Sequence, residues 1–320
     1  DGCPSILIEP QRTNLLTYSE NLNEVSWYKS NVNIINNAGI SPDGLNNATK
    51  VVNISNGFLS KGYNPSIVLG HSRSIWAKTT SGTGSVSLCS HNGNANALFN
   101  ITNEWQRFEL NTYNSTGANS FYAVDFRSAG STLSEILLWG GQAEVGTYAT
   151  SYIPTVASTV TRNATAVSKT GISDLINSEE GTFFVKAKVS NNNNFNLFSL
   201  HENITNNNRL FIGFNTTNNS ILFYLEKNGS VQINESFNVT DLSSSFIKVA
   251  FVYKVNNSAF FINGIKVGGD LLCETFGINT LSNLSFSNAS GSSSFNGNVK
   301  QLQLYKEALT DTELIALTTI

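Results

Sequence analysis

Apolar residues along this chain fall in short runs separated by clusters of Gly, Asn and Ser, and inside many runs they alternate with polar residues. A period of two belongs to strands with one buried face. A helix would bring its apolar residues back at i, i+3, i+4 and i+7. Strands are predicted in the first half at 74–78, 85–90, 106–110, 121–126 and 136–140. A second set is predicted at 181–189, 195–200, 209–214, 220–226, 247–254, 259–262 and 297–305. Between the sets lies Ser151-Tyr-Ile-Pro-Thr155, followed by a Ser/Thr/Val/Asn stretch to about Thr170. Pro154 cannot donate to a central ladder, so this stretch reads as an extended connector. The pattern predicts an all-β chain of two tandem sandwich domains, residues 1–160 and 161–320.

Turn chemistry sharpens the second domain. Phe260-Phe-Ile-Asn-Gly-Ile-Lys-Val267 places Asn263 and Gly264 between two apolar arms, and Lys227-Asn-Gly-Ser230 repeats the device. Asn-Gly suits a type I′ hairpin, whose two central residues both need positive φ. One helix is predicted, at about 310–318. Thr310-Asp-Thr-Glu313 has the spacing of a capping box, and Leu309, Leu314 and Leu317 give it an apolar stripe.

Composition narrows the function. In 320 residues, charged side chains are only 13% and the net charge is −3. Asn, Ser and Thr together supply roughly a third of the chain, so the polar surface is mostly uncharged. A basic patch for nucleic acid is not expected. No apolar run reaches the ~18 residues of a membrane-spanning helix, so no membrane insertion is expected. The start, Asp1-Gly-Cys-Pro4, is neither an initiator Met nor a signal peptide, and the chain contains no Met, which reads as a piece of a longer protein. Cys3, Cys89 and Cys273 are isolated and form no disulfide framework. None of His71, His91 and His201 is spaced with a Cys for zinc.

Particular motifs carry a resemblance. Ile6-Leu-Ile-Glu-Pro-Gln-Arg-Thr-Asn-Leu-Leu16, Tyr18-Ser-Glu20 and Trp27 are followed by Pro42-Asp-Gly44, Trp105-Gln-Arg107, Leu138-Trp-Gly-Gly-Gln-Ala-Glu144 and Gly146-Thr-Tyr-Ala-Thr-Ser-Tyr-Ile-Pro-Thr155. This ordered set, over about residues 5–162, resembles a domain of bacteriophage tail fibres and other virion appendages that is similar to carbohydrate-binding jelly rolls. In the second half, Lys248-Val-Ala-Phe-Val-Tyr253, Ala259-Phe-Phe-Ile-Asn-Gly264, Phe295-Asn-Gly-Asn-Val-Lys-Gln-Leu-Gln-Leu-Tyr305 and Ala308-Leu-Thr-Asp-Thr-Glu-Leu314 resemble laminin-G-like, concanavalin-A-like sandwiches. The resemblance implies a virion structural protein, commonly trimeric, exposed on a tail or other appendage. It would act outside the host cell, with other virion proteins and a host-surface glycan as partners. Rival readings are a head fibre or decoration protein without a specific ligand, and a secreted bacterial adhesin or carbohydrate-binding module.

No enzyme signature is present. Phosphate loop, His-Glu-x-x-His and EF-hand patterns are absent, and Gly70-His-Ser-Arg-Ser74 misses the nucleophile elbow by one residue. Glycosidases need two carboxylates across a cleft. Glu179 and Glu180 would point to opposite faces of a strand, and Glu226 and Glu235 stand alone. Binding is therefore expected without catalysis. Sugar sites set aromatic faces beside amide and Arg donors. Trp27, Trp105 and Trp139 are assigned to the core, which leaves Trp76, His91, Tyr113 and Arg127 as candidate sugar-binding residues, with Tyr122 nearby. No cofactor is expected. A structural calcium ion at a loop is compatible with both folds, but no Asp-rich loop announces one.

Overall fold

The computed structural model describes residues 4–63, 70–90, 97–114, 119–190, 195–202, 206–269 and 272–320. The chain is all-β, and its one α-helix among the described residues is Asp311–Thr318. It divides into two compact units. One runs from Gln11 to Asn163, and the other joins the segment through Pro10 to Ala164–Ile320. The first ten residues thus leave the 1–160 division expected from sequence. Ile6–Ile8 adds an antiparallel edge strand to Gly297–Tyr305, and Ile8 is buried in that unit's core.

The unit of Gln11–Asn163 is built on an eight-stranded sheet. Its order is Leu98–Ile101, Gly84–Ser87, Asn119–Asp125, Thr49–Tyr63, Glu135–Val145, Gly70–Lys78 and Gln106–Asn114, with Tyr28–Ile35 also pairing to Thr49–Tyr63. A two-stranded sheet, Arg12–Asn14 with Val160–Arg162, ties the start of the unit to its end. The core holds Leu16, Trp27, Val51, Leu59, Phe121 and Leu138 among others. Trp27 meets Phe121 edge-on at 6.1 Å and donates its indole N–H to Tyr18 O at 3.1 Å. Trp139 is buried, as expected. Trp105 is not. It is half-buried, with its N–H on Ile40 O at 2.8 Å and Lys78 Nζ 5.4 Å from its ring.

The motifs that open and close this unit meet at one buried amide. Asn14 Nδ2 donates to Gly141 O at 3.1 Å and Ile153 O at 2.9 Å, and its Oδ1 accepts from Leu16 N at 3.1 Å and Ala143 N at 3.2 Å. Gln142 repeats the device, accepting from Ile153 N at 2.6 Å and donating to Thr150 O at 3.4 Å. Thr155 Oγ1 adds a bond to Leu16 O at 2.7 Å.

In the other unit two six-stranded sheets face each other. One runs Ile6–Ile8, Gly297–Tyr305, Glu180–Val189, Ile247–Lys254, Ala259–Ile262 and Ile265–Gly269. The other runs Ser168–Thr170, Asn283–Ser285, Phe195–His201, Arg209–Asn215, Ser220–Lys227 and Ser230–Asn238. Phe183, Phe198, Phe214, Phe223, Phe251 and Phe260 pack between them. Both Asn-Gly hairpins form as predicted, with φ of 47° and 82° at Asn263 and Gly264, and 50° and 76° at Asn228 and Gly229. The capping box forms too. Thr310 N donates to Glu313 Oε2 at 2.8 Å, and Glu313 N donates to Thr310 Oγ1 at 3.4 Å. The helix lays Leu314 on Phe184, Ala250, Val252 and Phe261.

Two stability outcomes are expected in urea unfolding. Asn14→Leu should cost roughly 3 kcal/mol, because it orphans several buried backbone groups worth about 1–3 kcal/mol each. Trp139→Ala should cost about 3–5 kcal/mol, and the half-buried Trp105→Ala distinctly less. Equal losses for the two Trp variants would contradict the core described above.

Candidate functional site

The long strand Thr49–Tyr63 changes partners part-way. Its first part pairs with Glu135–Val145 and its last part with Asn119–Asp125, while Tyr28–Ile35 follows it along both. The change happens at a crossing of two irregularities. Pairing with Tyr28–Ile35 slips between Ser30 and Val32, and Asn31 and Asn56 both take positive φ, 48° and 47°. Gly57 lies against the neighbouring strand there: a Cβ on it would stand 2.3 Å from Asn31 O. Only glycine admits that approach. Gly57 N donates to Asn53 Oδ1 at 2.9 Å, which fixes the bend.

Beyond the bend, register sets the residues of one sheet face. Tyr28 stands opposite Ser60, which stands opposite Tyr122; in the next row, Ser30 faces Phe58 and Phe58 faces Asp125. Alternation puts these side chains together. Tyr28 and Phe58 have ring centroids 5.6 Å apart, and Phe58 and Tyr122 are 5.2 Å apart. Tyr28 is 63% exposed, while Phe58 and Tyr122 are half-buried. The result is a short aromatic platform that is open at Tyr28.

Arg127 closes the other side. Its guanidinium carbon lies 3.9 Å from the Phe58 centroid and 5.4 Å from that of Tyr122. Arg127 Nε donates to Asp125 Oδ1 at 2.9 Å and an Nη to Oδ2 at 2.7 Å, a planar two-pronged fit. That bonding holds the guanidinium pKa above its ordinary value. Asp125 is 2% exposed and fully occupied by this fork and by Arg127 N at 3.0 Å. It is a brace for the arginine, whose side chain stays 43% exposed.

The four sequence candidates fare differently. Arg127 joins the platform, with Tyr122. His91 lies outside the described residues. Tyr113 sits in the strand Gln106–Asn114 opposite His71, with its side chain outside the described part. Trp76 is on another strand, Gly70–Lys78, between Trp139 and Arg107. It is half-buried, and among the described residues its buried indole N–H has no partner. Gly140, at φ 67°, lets it pack: a Cβ there would reach 3.3 Å from both Trp76 and Tyr152. Tyr28 and Phe58 were missed by the sequence reading, because their strands were not predicted.

The second unit carries the same combination on the outer face of its Phe195–His201, Arg209–Asn215 and Ser220–Lys227 strands. Phe211 and Tyr224 stack at 4.7 Å and 15°, with the Arg209 guanidinium carbon 5.2 Å from the Tyr224 ring. Arg209 bonds Glu226 at 2.9 Å, and Tyr224 OH donates to the same carboxylate at 3.0 Å. Burial and that bond to Glu226 raise the Tyr224 pKa. In both places the carboxylate is engaged by an arginine. Glu180, from the adjacent pair weighed in the sequence, is bound to Lys254 at 2.6 Å. Among the described residues no group of three or more His, Cys, Asp or Glu converges as metal ligands would.

Comparison with known proteins adds the following. Residues 163–315 match a laminin-G family model described as the concanavalin A-like lectin/glucanases superfamily, in line with the resemblance read for the second half. No curated protein matches the chain. Among solved structures, the CBM40 of the Ruminococcus gnavus IT-sialidase bound to alpha2,3 sialyllactose is similar at 20% identity, over 46% of this chain and 86% of that one, with a TM-score of 0.40. The NanB sialidase from Streptococcus pneumoniae is similar at 19% identity over 48% of this chain and 26% of that one, TM-score 0.38. For the heptameric SAP-like pentraxin from Limulus polyphemus the values are 17%, 43%, 69% and 0.34.

The Arg127–Asp125 fork gives a direct test of the geometry. Arg127→Ala leaves a buried carboxylate with one donor and should cost about 1–3 kcal/mol. Arg127→Lys should recover little of it, since an ammonium cannot match the fork. Full recovery of the melting temperature by Lys would contradict the planar pairing.

Proposed function

We propose that this chain is a non-catalytic, glycan-binding protein of a bacteriophage virion appendage, a tail fibre or spike, and that its first unit holds a sugar residue on the platform of Tyr28, Phe58 and Tyr122 beside Arg127. The platform carries the reading. An exposed tyrosine ring suits the apolar face of a pyranose, and a braced guanidinium beside it offers donors to ring hydroxyls. The uncharged Asn/Ser/Thr surface supports it, because amides and hydroxyls replace water around a neutral sugar without stripping charges of solvent. The match of residues 163–315 to a family that includes lectins supports a binding role for the second half. The tail-fibre likeness of about residues 5–162 supports the place on the virion.

One such contact is weak, of order 10⁻⁴ M or about −5.5 kcal/mol. Trimeric display on a fibre would make later contacts intramolecular and raise avidity by 10²–10⁴-fold. Trp76 is retained as a separate candidate on its own strand.

The test is adsorption of the purified protein to host cells. Tyr28→Ala is expected to remove most binding while leaving the melting temperature unchanged, because the ring is largely exposed. Trp76→Ala serves as the comparison. Equal adsorption to cells stripped of surface polysaccharide would overturn the glycan reading and leave a purely structural role. Failure of an antibody against this chain to label intact particles in negative stain would overturn the virion reading.

A further inference from the structure

In the second unit, segment 286–294 crosses the strand Phe195–His201. Ser199 Oγ donates to Ser287 O at 2.6 Å, and Leu197 N donates to Ser293 O at 3.2 Å. Beside this crossing lies a cavity of about 570 Å³, within the range of small-molecule sites. Phe198 and Leu200 point into the core, so Ser199 and His201 face the other way. Register then aligns Ser168, Ser285 and Ser199 in one row, and Thr170, Asn283 and His201 in the next.

The walls define the ligand. Among the described residues, no Asp, Glu, Lys or Arg lines the cavity. A charged ligand would lose hydration there and gain no counter-charge. The polar lining is hydroxyl, amide and imidazole. His201 is buried, with Nε2 2.9 Å from Ser285 Oγ, which fixes that hydroxyl in the wall. Val167 and Phe286 turn inward to the core, and Ala166 and Ala289 supply the small apolar part of the wall. The crossing segment is braced from within: Asn288 Oδ1 accepts from Ser292 N at 2.8 Å, Asn288 Nδ2 donates to Ser292 Oγ at 2.6 Å, and Gly291 N donates to Asn288 O at 3.0 Å. A wall already ordered lowers the entropic cost of binding.

We propose that this cavity binds one neutral sugar residue bearing a methyl group, an acetamido or 6-deoxy hexose. Its methyl lies against Ala166 and Ala289, and its hydroxyls reach Ser168, Thr170 and Ser285. The site is independent of the Tyr28 platform.

Saturation-transfer NMR on the full chain tests this, with N-acetylglucosamine, L-rhamnose, D-glucose and D-glucuronate as probes. The strongest transfer is expected at the methyl protons of the first two, which also separates the acetamido from the deoxy source. Ala289→Trp from the crossing segment, or Ser168→Phe on the exposed edge strand, should fill the cavity. Either should weaken that transfer about tenfold or more with the melting temperature kept. Tyr28→Ala should leave it unchanged, so failure of the platform reading and failure of this one are separable. Absence of methyl transfer, transfer to glucuronate of equal strength, or full transfer in both folded cavity-filling variants would overturn the proposal.

Discussion

The Asn14 amide governs the first unit. It is a fully buried polar group with four hydrogen bonds, and they reach three separate stretches: its own strap, the strand around Gly141 to Ala143, and the closing segment at Ile153. In a low-dielectric interior a polar group is tolerated only when satisfied, so one arrangement of strap and closing segment is stable and slipped ones are penalised. Gln142 and Thr155 extend the lock. The motifs that carried the tail-fibre resemblance are largely these residues. They explain why the unit closes, and they say little about what it binds.

The proposed binding surface lies elsewhere, where two strands meet at Gly57 and Asn31. The bend there turns Phe58 onto the face of Tyr28 and Tyr122. Both units then solve the same problem alike. An arginine stacks on an aromatic pair and is held by one carboxylate, Asp125 in the first and Glu226 in the second. In a chain with few charges, such pairing keeps each arginine oriented.

The legible parts of the sequence were those with local chemistry. Regular alternation revealed the phenylalanine-rich strands of the second unit, the two Asn-Gly turns revealed its hairpins, and Thr310 with Glu313 revealed the helix start. The missed strands include the two that carry Tyr28 and Phe58. Tyr28–Ile35 carries Asn31, and Thr49–Tyr63 carries Asn53, Asn56 and Gly57, residues that signal turns. Here they mark a bend inside continuous strands, imposed by pairing partners far away in sequence. Trp105 was misplaced for a related reason: it lies in the connection just before the edge strand Gln106–Asn114, where its ring is only half-buried. The Ile6–Ile8 strand was assigned to the wrong unit because its partner, Gly297–Tyr305, lies at the far end of the chain.

The central claim is that the braced arginine and its aromatic neighbours hold the sugar. Titration of an oligosaccharide released from the host surface polysaccharide, followed through the Arg127 Nε–Hε resonance and the aromatic resonances of Tyr28, Phe58 and Tyr122, tests it most directly. The account predicts that these signals move together along one saturating curve, with a midpoint near 10⁻⁴ M. Saturable binding of the oligosaccharide while all four sets of resonances stay fixed, or no binding at millimolar concentrations, would contradict it.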